Sequence, residues 1–469
     1  MNTKRIFGYA LFCFFLFTLM GLFMIAGCKN NVCGMKILAR LDISTTPRHE
    51  WYPSISYNSI DNEFMVLWRT SGKQEESDTE SFHSIDGQRV SPEGNLLGTS
   101  IQLSLPELGF KTLPKAAHNT YNNEYMVAYT FGPAGNDGQQ TYVMKIDNKG
   151  QKLSDANPLY DAFYNNSHPT IVFNSIKRQY LAAYNDSWAG SSGDLDNFGF
   201  ILDEDGNKIH QNPLQIGSTE GIQFNPQPVY NPTDDRYFVN WEDFRHQNTW
   251  TDPTDIFGAL LDADGNSLTA EDIPICDDHN KPVGVQGDQR VQVTAYNSDK
   301  NEYLAVWMDR IITKFNDPST SPLYDTEPAD VVGRIIGSDG TPKGEDFIIA
   351  DAPGSQSLPQ IVYISEKKMY FIVWQDSRND DNEDLFDAEN DIYAKWLNGN
   401  GKPVGLDIPI CTEEGNQSNP ALAYDSVMDR FLIVWRENNA MSDFEPIGWC
   451  FAHICETEGD IKGVIYGTP

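Results

Sequence analysis

The chain repeats one short aromatic pattern seven times. In each copy a Tyr, Phe or His is followed eleven positions later by Trp or Tyr, and another aromatic residue stands four positions before the second. The seven pairs are Tyr57/Trp68, His118/Tyr129, Phe173/Tyr184, Tyr230/Trp241, Tyr296/Trp307, Tyr363/Trp374 and Tyr424/Trp435. Because the internal spacing is fixed while the copies recur every 55 to 67 residues, the pattern indicates an array of similar supersecondary units.

Each unit has the pattern of four short β-strands. In the sixth repeat they fall at residues 359–363, 370–374, 391–397 and 408–410, each rich in β-branched or aromatic residues and bounded by turn residues. The second strands are apolar at consecutive positions, which predicts sheets covered on both faces. Sheets stacked face to face around an axis meet that requirement. We therefore expect an all-β fold, a seven-bladed β-propeller of four-stranded antiparallel blades, formed as a single domain by residues 36–469.

The beginning of the chain has the features of a targeting segment, with basic residues followed by an apolar run that ends at Ile25-Ala26-Gly27, before Cys28. This ending resembles a bacterial lipobox. The resemblance implies a lipoprotein signal peptide over residues 1–27, lipidation at Cys28 and a tether over residues 28–35. An uncleaved anchor is the alternative, because the run is long enough to span a bilayer. Both interpretations place the rest of the chain outside the cytoplasm beside a membrane, in the periplasm or at the cell surface.

Two features concern the connections within and between blades. A turn containing Gly is predicted between the third and fourth strands, at Gly94, Gly150, Gly206, Gly265, Gly340, Gly401 and Gly459. Gly allows the positive φ of a hairpin turn, so we interpret the calcium-loop-like segments 203–207 and 262–266 as ordinary turns. The last blade has only two clear strands, and closing the ring requires a partner for it. Residues 36–43 are predicted to add that strand.

The sixth repeat resembles the repeats of TolB-like propellers. The matching residues are the Pro-led strand Pro359 to Tyr363, the turn Asp376-Ser-Arg378, the strand Asp391-Ile-Tyr393 and Gly401. The similarity is one of pattern over residues 50–460, and the repeats here are longer than those of the family. Since TolB-like proteins are periplasmic binding partners of envelope proteins, the resemblance implies recognition or scaffolding. It identifies no catalytic residues.

The loops after the second strands are the predicted binding surface. Successive turns of an antiparallel blade alternate between its ends, so the turns after strands one and three share one face, and the loops after strands two and four share the other. We call the latter the variable-loop face, because the loops after strand two differ in length. Variable loops on a rigid scaffold commonly determine specificity. The candidate residues are Trp188, Asp243, Trp250, Asp309, Phe315, Tyr324, Asp376 and Phe386.

Acids recur two positions beyond the second-strand aromatic, at Asp186, Asp243, Asp309, Asp376 and Glu437. We interpret them as structural, because a role repeated in most blades belongs to the blade. The pairs Asp243/Arg245, Asp309/Arg310 and Asp376/Arg378 suggest that each acid is bound by Arg or backbone amides. A general acid and base of a glycosidase is the alternative.

The sixth repeat also contains a dense acidic run, with Asp380, Asp381, Glu383 and Asp384. Carboxylate oxygens at this density suit a hard cation, and calcium is the cofactor that they suggest. A solvated acidic loop is the alternative, because the run lacks a defined ligand spacing.

The net charge and the lack of several known motifs exclude some classes of function. A net charge of −33 repels nucleic acid. The sequence has no nucleophile elbow, P-loop, dinucleotide fingerprint or metalloprotease motif. We therefore expect a binding or scaffold module for an envelope protein or a glycan rather than an enzyme. A carbohydrate-active hydrolase or lyase with channel carboxylates, and a purely structural envelope component, are the alternatives.

Overall fold

A computed structural model describes residues 34–46, 48–72, 82–104, 107–133, 138–160, 167–186, 195–217, 221–245, 253–279, 281–282, 284–315, 324–380, 389–438 and 459–469. For residues 82, 107–110, 133, 315 and 324–326 it describes the backbone alone. The regular structure in these ranges consists of β-strands. None of the described residues forms a helix long and apolar enough to cross a membrane.

The aromatic pattern forms the hairpin of the first two strands in every blade. The first aromatic side chain and the one seven positions later are cross-strand neighbours, as Tyr57 and Phe64 show. In all seven hairpins the two ring centroids lie 4.8 to 5.6 Å apart. A side-chain oxygen closes the turn between them, since Asn58 Oδ1 accepts the backbone N–H of Ile60 at 2.9 Å. The repeated spacing is therefore the spacing of a cross-strand aromatic pair around a short turn.

Blades 1 to 4 each contain four consecutive strands. Blade 1 comprises β2 to β5, at His49–Asn58, Glu63–Gly72, Phe82–Val90 and Leu96–Gln102. Blade 2 comprises β6 to β9, at Glu107–Asn119, Glu124–Pro133, Gln140–Asp147 and Asn157–Pro158. Blade 3 comprises β10 to β13, at Ser167–Asn174, Gln179–Asp186, Asp196–Leu202 and Leu214–Ile216. Blade 4 comprises β14 to β17, at Gln223–Asn231, Arg236–Asp243, Asp255–Asp262 and Ile273–Cys276.

The remaining blades include two variations. Blade 5 comprises β18, β19, β21 and β22, at Gly287–Asn297, Glu302–Phe315, Asp330–Gly337 and Pro342–Ala350. An additional strand, β20 at Tyr324–Thr326, pairs with β19. Blade 6 comprises β23 to β26, at Gln356–Ile364, Met369–Asp376, Asp391–Asn398 and Pro403–Cys411. Blade 7 comprises β27, β28, β29 and β1, at Asn416–Asp425, Arg430–Asn438, Asp460–Gly467 and Lys36–Ser44.

The first described strand closes the ring. β1 pairs antiparallel with β29 as the outer strand of blade 7, with Lys36 opposite Gly467 and Ser44 opposite Ile461. The seven-bladed propeller and its closure by residues 36–43 are thus confirmed. The predicted turn at Gly459 is wrong: Gly459 directly precedes β29 and lacks a positive φ, whereas the other six turn glycines have φ of +77° to +90°. Blade 7 needs no turn there, because its fourth strand comes from the start of the chain.

The core lies between blades. Seven hydrophobic clusters occur among the described residues, each formed by two neighbouring blades. The second strands supply most of the fully buried side chains, including Val66, Val239 and Val373, each with no exposed surface. The first strands contact one another in sequence around the ring, from β2 through to β27 and back to β2. The first strands therefore surround the central channel, and the outer strands form the rim.

The contribution of β1 can be measured. Ile43 is 4% exposed and packs with side chains of both blade 7 and blade 1. We expect Ile43→Ala to lower the free energy of unfolding by about 2 to 5 kcal/mol, since it leaves a cavity at the closing seam. Urea denaturation measures this. Leu406→Ala is the control, because Leu406 is 88% exposed on β26 and should change stability by less than about 0.5 kcal/mol. Equal effects of the two substitutions would show that the seam does not hold the ring.

Candidate functional site

Most of the predicted loop residues lie outside the described part of the chain. These are Trp188, Trp250, Asp381, Glu383, Asp384 and Phe386, together with Cys28 in the targeting segment. Phe315 and Tyr324 are described as backbone and are direct cross-strand partners in the hairpin that β20 adds to blade 5. Asp380 accepts the backbone N–H of Glu389 at 2.6 Å. Calcium binding by this run remains a prediction.

Two of the predicted binding residues have structural roles. Asp243 and Asp376 are 1% and 0% exposed. Asp376 Oδ2 accepts the indole N–H of Trp374 at 2.7 Å, and its carboxylate receives two hydrogen bonds from the Arg378 guanidinium. The Arg378 guanidinium also stacks on Tyr393, 4.0 Å from the ring centroid.

The same arrangement of Trp, acid and Arg recurs in blade 4. Asp243 accepts the indole N–H of Trp241 at 2.8 Å and pairs with Arg245. These acids therefore cap the second strand, and we do not place them on the binding surface. The structural interpretation of the repeated acids is confirmed for Asp243 and Asp376.

Blade 5 departs from this arrangement. Arg310 pairs with Asp288 of the first strand, so the predicted Asp309/Arg310 pair is wrong. Among the described residues, Asp309 accepts one hydrogen bond, from Gln289 Nε2 at 3.2 Å. The indole N–H of Trp307 has no partner there. Burial, with repulsion from Asp278 and Asp288, raises the pKa of Asp309 to about 7.

A ring of bulges surrounds the channel near the variable-loop face. Each first strand contains a bulge with one non-glycine residue at a φ of +49° to +59°. We call these seven residues the bulge ring, namely Tyr52, Leu113, His168, Asn225, Val291, Leu358 and Asn419. All seven side chains are half-buried. Backbone in this region is strained for non-glycine residues and persists only where its surroundings hold it.

Side chains of the preceding blade hold the bulges in place. The N–H of Val291 donates to Glu242 Oε1 at 3.0 Å, and that of Asn419 donates to Gln375 Oε1 at 3.1 Å. The N–H of Asn225 likewise donates to Asn185 Oδ1 at 3.0 Å. Since each acceptor directly follows the second-strand aromatic, the bulge ring also connects neighbouring blades.

The channel mouth is partly aromatic, and cations lie beside it. The Arg436 guanidinium stacks 3.5 Å from the centroid of the Trp51 ring, and Lys115 is a half-buried first-strand residue. Trp51 adjoins Tyr52, and Phe224 adjoins Asn225, with the rings of Phe224 and His168 4.2 Å apart. Burial lowers the pKa of His168 to about 4, so its ring is neutral at physiological pH. We consider the first-strand side chains whose burial the structure describes. The partly exposed ones among them include neither Asp nor Glu. The mouth therefore offers rings, amides and hydroxyls instead of carboxylates.

The first-strand acids that the structure describes as buried already have partners. Glu50 accepts hydrogen bonds from Thr46 at 2.9 Å and from the N–H of Ile461 at 3.2 Å, and burial raises its pKa to about 7. Burial also opposes ionisation of Asp288, but Arg290 and Arg310 outweigh it and lower its pKa to about 2.

One group on the variable-loop face has the donor atoms of a metal site. Ligand atoms of Asp255, Asp277 and His279, between blades 4 and 5, lie within 4.8 Å of one another. His279 Nδ1 is 2.7 Å from Asp277 Oδ1. Burial, with repulsion from Asp278 and Asp277, raises the pKa of Asp255 to about 8. Carboxylates with imidazole are donors that zinc accepts, and this is the group of described residues that could hold such an ion.

The bulge ring was not identified from the sequence. A Pro follows six of its residues, at Pro53, Pro114, Pro169, Pro226, Pro359 and Pro420, and the residue before Pro is restricted in conformation. That repeated Pro was the available signal. It indicates an irregular backbone but does not show that the preceding side chain lies at the channel.

Comparison with known proteins supports the fold. No protein-family model matches the chain, and no curated protein matches its sequence. A protein of unknown function from Dyadobacter fermentans is 10% identical, with a TM-score of 0.50 over 94% of this chain and 99% of that one. An α-L-arabinofuranosidase from Fusarium graminearum is 10% identical over 92% of this chain and 98% of that one, with a TM-score of 0.47. The endosialidase of phage phi92 is 10% identical over 92% and 69%, with a TM-score of 0.48. At these identities the similarity shows the propeller fold alone.

The capping role of the repeated acids gives a direct test. We expect Asp376→Ala to lower the free energy of unfolding by about 2 to 4 kcal/mol, because it leaves the Trp374 indole without its acceptor and the Arg378 guanidinium with Asp407 as its remaining acidic partner. Urea denaturation measures the change. Asp309→Ala is the matched control at the same position of blade 5 and should cost no more than about 1 kcal/mol. Similar costs at both positions would contradict the capping role.

Asp186 predicts a distinct pH dependence. Burial, with repulsion from Asp196, raises its pKa from 3.8 to about 7. Because the folded chain keeps this proton to higher pH than the unfolded chain, the carboxyl lowers stability progressively from about pH 4 to pH 7. Asp186→Asn stays neutral at every pH. We therefore expect the stability of the variant, measured relative to the natural chain, to be higher at pH 8 than at pH 4.5. Urea unfolding at both pH values checks this, and an unchanged pH dependence would contradict it.

Proposed function

We propose that the protein is an extracytoplasmic propeller, tethered to a membrane through lipidated Cys28, that binds a neutral glycan of the cell envelope at the bulge ring. The observation that carries the proposal is the lining of the channel mouth. Seven half-buried side chains lie around it on a rigid frame, and the half-buried rings of Trp51 and Phe224 adjoin two of them. Aromatic faces beside amide groups suit sugar rings, which present apolar C–H faces and hydroxyl groups.

Charge favours a neutral ligand. The chain carries a net charge of −33, which repels acidic polymers, whereas the mouth itself presents no partly exposed acid among its described first-strand side chains. A basic protein partner would require acids at the contact surface. A mouth without partly exposed first-strand carboxylates therefore favours a glycan over a basic envelope protein.

Binding is favoured over hydrolysis. A glycosidase needs two carboxyl groups that face the scissile bond. The first-strand acids Glu50 and Asp288, and Glu242 beside the bulge ring, instead bind Ser, Thr and Arg side chains or the backbone of neighbouring segments. They are occupied in holding the blades together, which leaves them unsuited to acid and base catalysis.

Substitutions at the mouth test the proposal. We expect Trp51→Ala and Phe224→Ala each to weaken glycan binding by about tenfold or more, because truncating an interface aromatic commonly costs this much. An array of neutral envelope oligosaccharides identifies the ligand, and calorimetry with that oligosaccharide gives the affinities. Thermal melting confirms that both variants are folded.

Tyr121→Ala is the matched control, because Tyr121 is 50% exposed in the turn after β6, on the opposite face. Its affinity should equal that of the natural chain. Binding that survives both mouth substitutions would contradict the proposed site. Release of reducing sugar from the bound oligosaccharide would instead establish a hydrolase.

A further inference from the structure

The chain enters the ring at the face opposite the variable loops. Lys36 lies opposite Gly467, and Gly467 lies opposite Arg430, which directly follows the turn between β27 and β28. We call this side the turn face, since it carries the turns after strands one and three of each blade. From residue 28 to Lys36 an extended chain spans at most about 27 Å. A lipid on Cys28 therefore keeps the turn face near the membrane.

Four neighbouring blades present an apolar side chain at the same turn position. These residues are Val427, Ile60, Tyr121 and Ile176, of blades 7, 1, 2 and 3, with exposures of 67, 49, 50 and 56%. In each turn their N–H is bound by the preceding Asn or Asp side chain. Blades 4, 5 and 6 place the exposed residues Thr233, Asp299 and Glu366 there. The fold thus does not require an apolar residue at this position.

A second row of apolar residues lies in the same sector. Two or three positions after the turn glycine, blades 1 to 4 expose Leu96, Leu153, Ile209 and Leu268 by 43 to 50%. Of the eleven large apolar side chains exposed in the described part of the chain, eight belong to these two rows. Because exposed apolar residues concentrated in one region are typical of interaction sites, we treat this sector as a candidate contact surface. We call the eight residues the apolar arc.

Cations accompany the apolar arc. A groove of about 630 Å³ between the outer strand of blade 1 and the turn of blade 2 is lined by Arg89, Lys149 and Lys152, with Thr99, Ser100 and Gln102 among its other residues. No acid lines it. Arg89 is paired with Glu63, while both lysines are exposed. In a chain with almost twice as many acids as bases, this groove is suited to an anionic group such as a lipid phosphate.

We propose that the apolar arc lies on a phospholipid surface, with headgroup phosphates at the Lys149 and Lys152 groove. The proposal rests on the lipid tether of the proposed function and adds an orientation to it. Three observations select a membrane as the occupant: the chain enters at this face, the arc begins in the blade where it enters, and apolar and cationic groups adjoin as they do in interfacial proteins. The variable-loop face then points away from the membrane.

Hydrogen exchange on tethered protein tests the orientation. A chain that begins at residue 28 keeps every described strand. A histidine tag at its start, with Cys28→Ser, attaches it to nickel-chelating lipid in vesicles of phosphatidylcholine and phosphatidylethanolamine. On vesicles we expect slower exchange than in solution for turns 426–429, 59–62, 120–123 and 175–178. The turns of blades 4 to 6, at 232–235, 298–301 and 365–368, are internal controls and should exchange at unchanged rates.

Variants identify the responsible side chains. The combined change of Ile60, Tyr121, Ile176 and Val427 to Ser should abolish the protection. Without the tether it should lower the vesicle partition coefficient by about tenfold or more, because the four substitutions remove apolar surface that lipid would bury. Ile348→Ser with Leu406→Ser is the control, since both residues are exposed apolar residues outside the arc. This pair should behave as the natural chain does.

Several outcomes overturn the proposal. Equal exchange in all seven turns, or protection confined to the variable-loop face, would exclude contact of the arc with lipid. Dimerisation in solution that the Ser variant abolishes would assign the arc to a second copy of the chain. Mass spectrometry of the membrane fraction separately tests acylation of Cys28. Protection on vesicles without natural acylation would therefore remove the proposed tether while supporting the lipid-binding arc.

Discussion

The structure depends on the burial of the second strand of every blade on both faces. Side chains at consecutive positions, such as Phe371, Ile372 and Val373, are all fully buried although they point to opposite sides of one sheet. A single four-stranded sheet cannot cover both of its own faces, so each blade requires a neighbour on each side. A finite row would leave its two end blades uncovered. Closure into a ring removes those ends, and β1 completes the last sheet by joining the start of the chain to its end.

Local contacts were predictable from the sequence, and contacts between distant segments were not. The paired aromatics, the turn that joins them and the capping of Trp374 by Asp376 all lie within a few residues of one another. The Asp309/Arg310 prediction failed because Asp288, on the neighbouring first strand, takes the Arg310 side chain. Gly459 was misassigned because a strand from the other end of the chain occupies the place of the expected fourth strand. The bulge ring depends on seven blades meeting around one axis, which no single repeat encodes.

The two faces of the ring differ in a way that follows from β1. Because β1 runs antiparallel to β29, its start lies at the turn face and its end lies at the variable-loop face. The apolar arc occupies blades 7, 1, 2, 3 and 4. It therefore begins at blade 7, the blade that β1 joins. The open side of the bulge ring is nearest the opposite face. In the orientation that we propose, this one strand sets which face lies at the membrane and which face points away from it.

Blade 5 shows which part of the channel mouth is constant. It has Gln292 where six other blades have Pro, yet Val291 retains the positive φ that its β-branched side chain disfavours. The bulge therefore does not depend on Pro. Glu242 binds the Val291 N–H, and Gln292 Nε2 donates to the backbone oxygen of Asn225 at 2.7 Å, so contacts with blade 4 stabilise the conformation. The backbone of the bulge ring is thus maintained in every blade, while its side chains vary among Tyr, Leu, His, Asn and Val. A rigid frame with variable side chains around one opening is the property that recognition of a specific ligand requires.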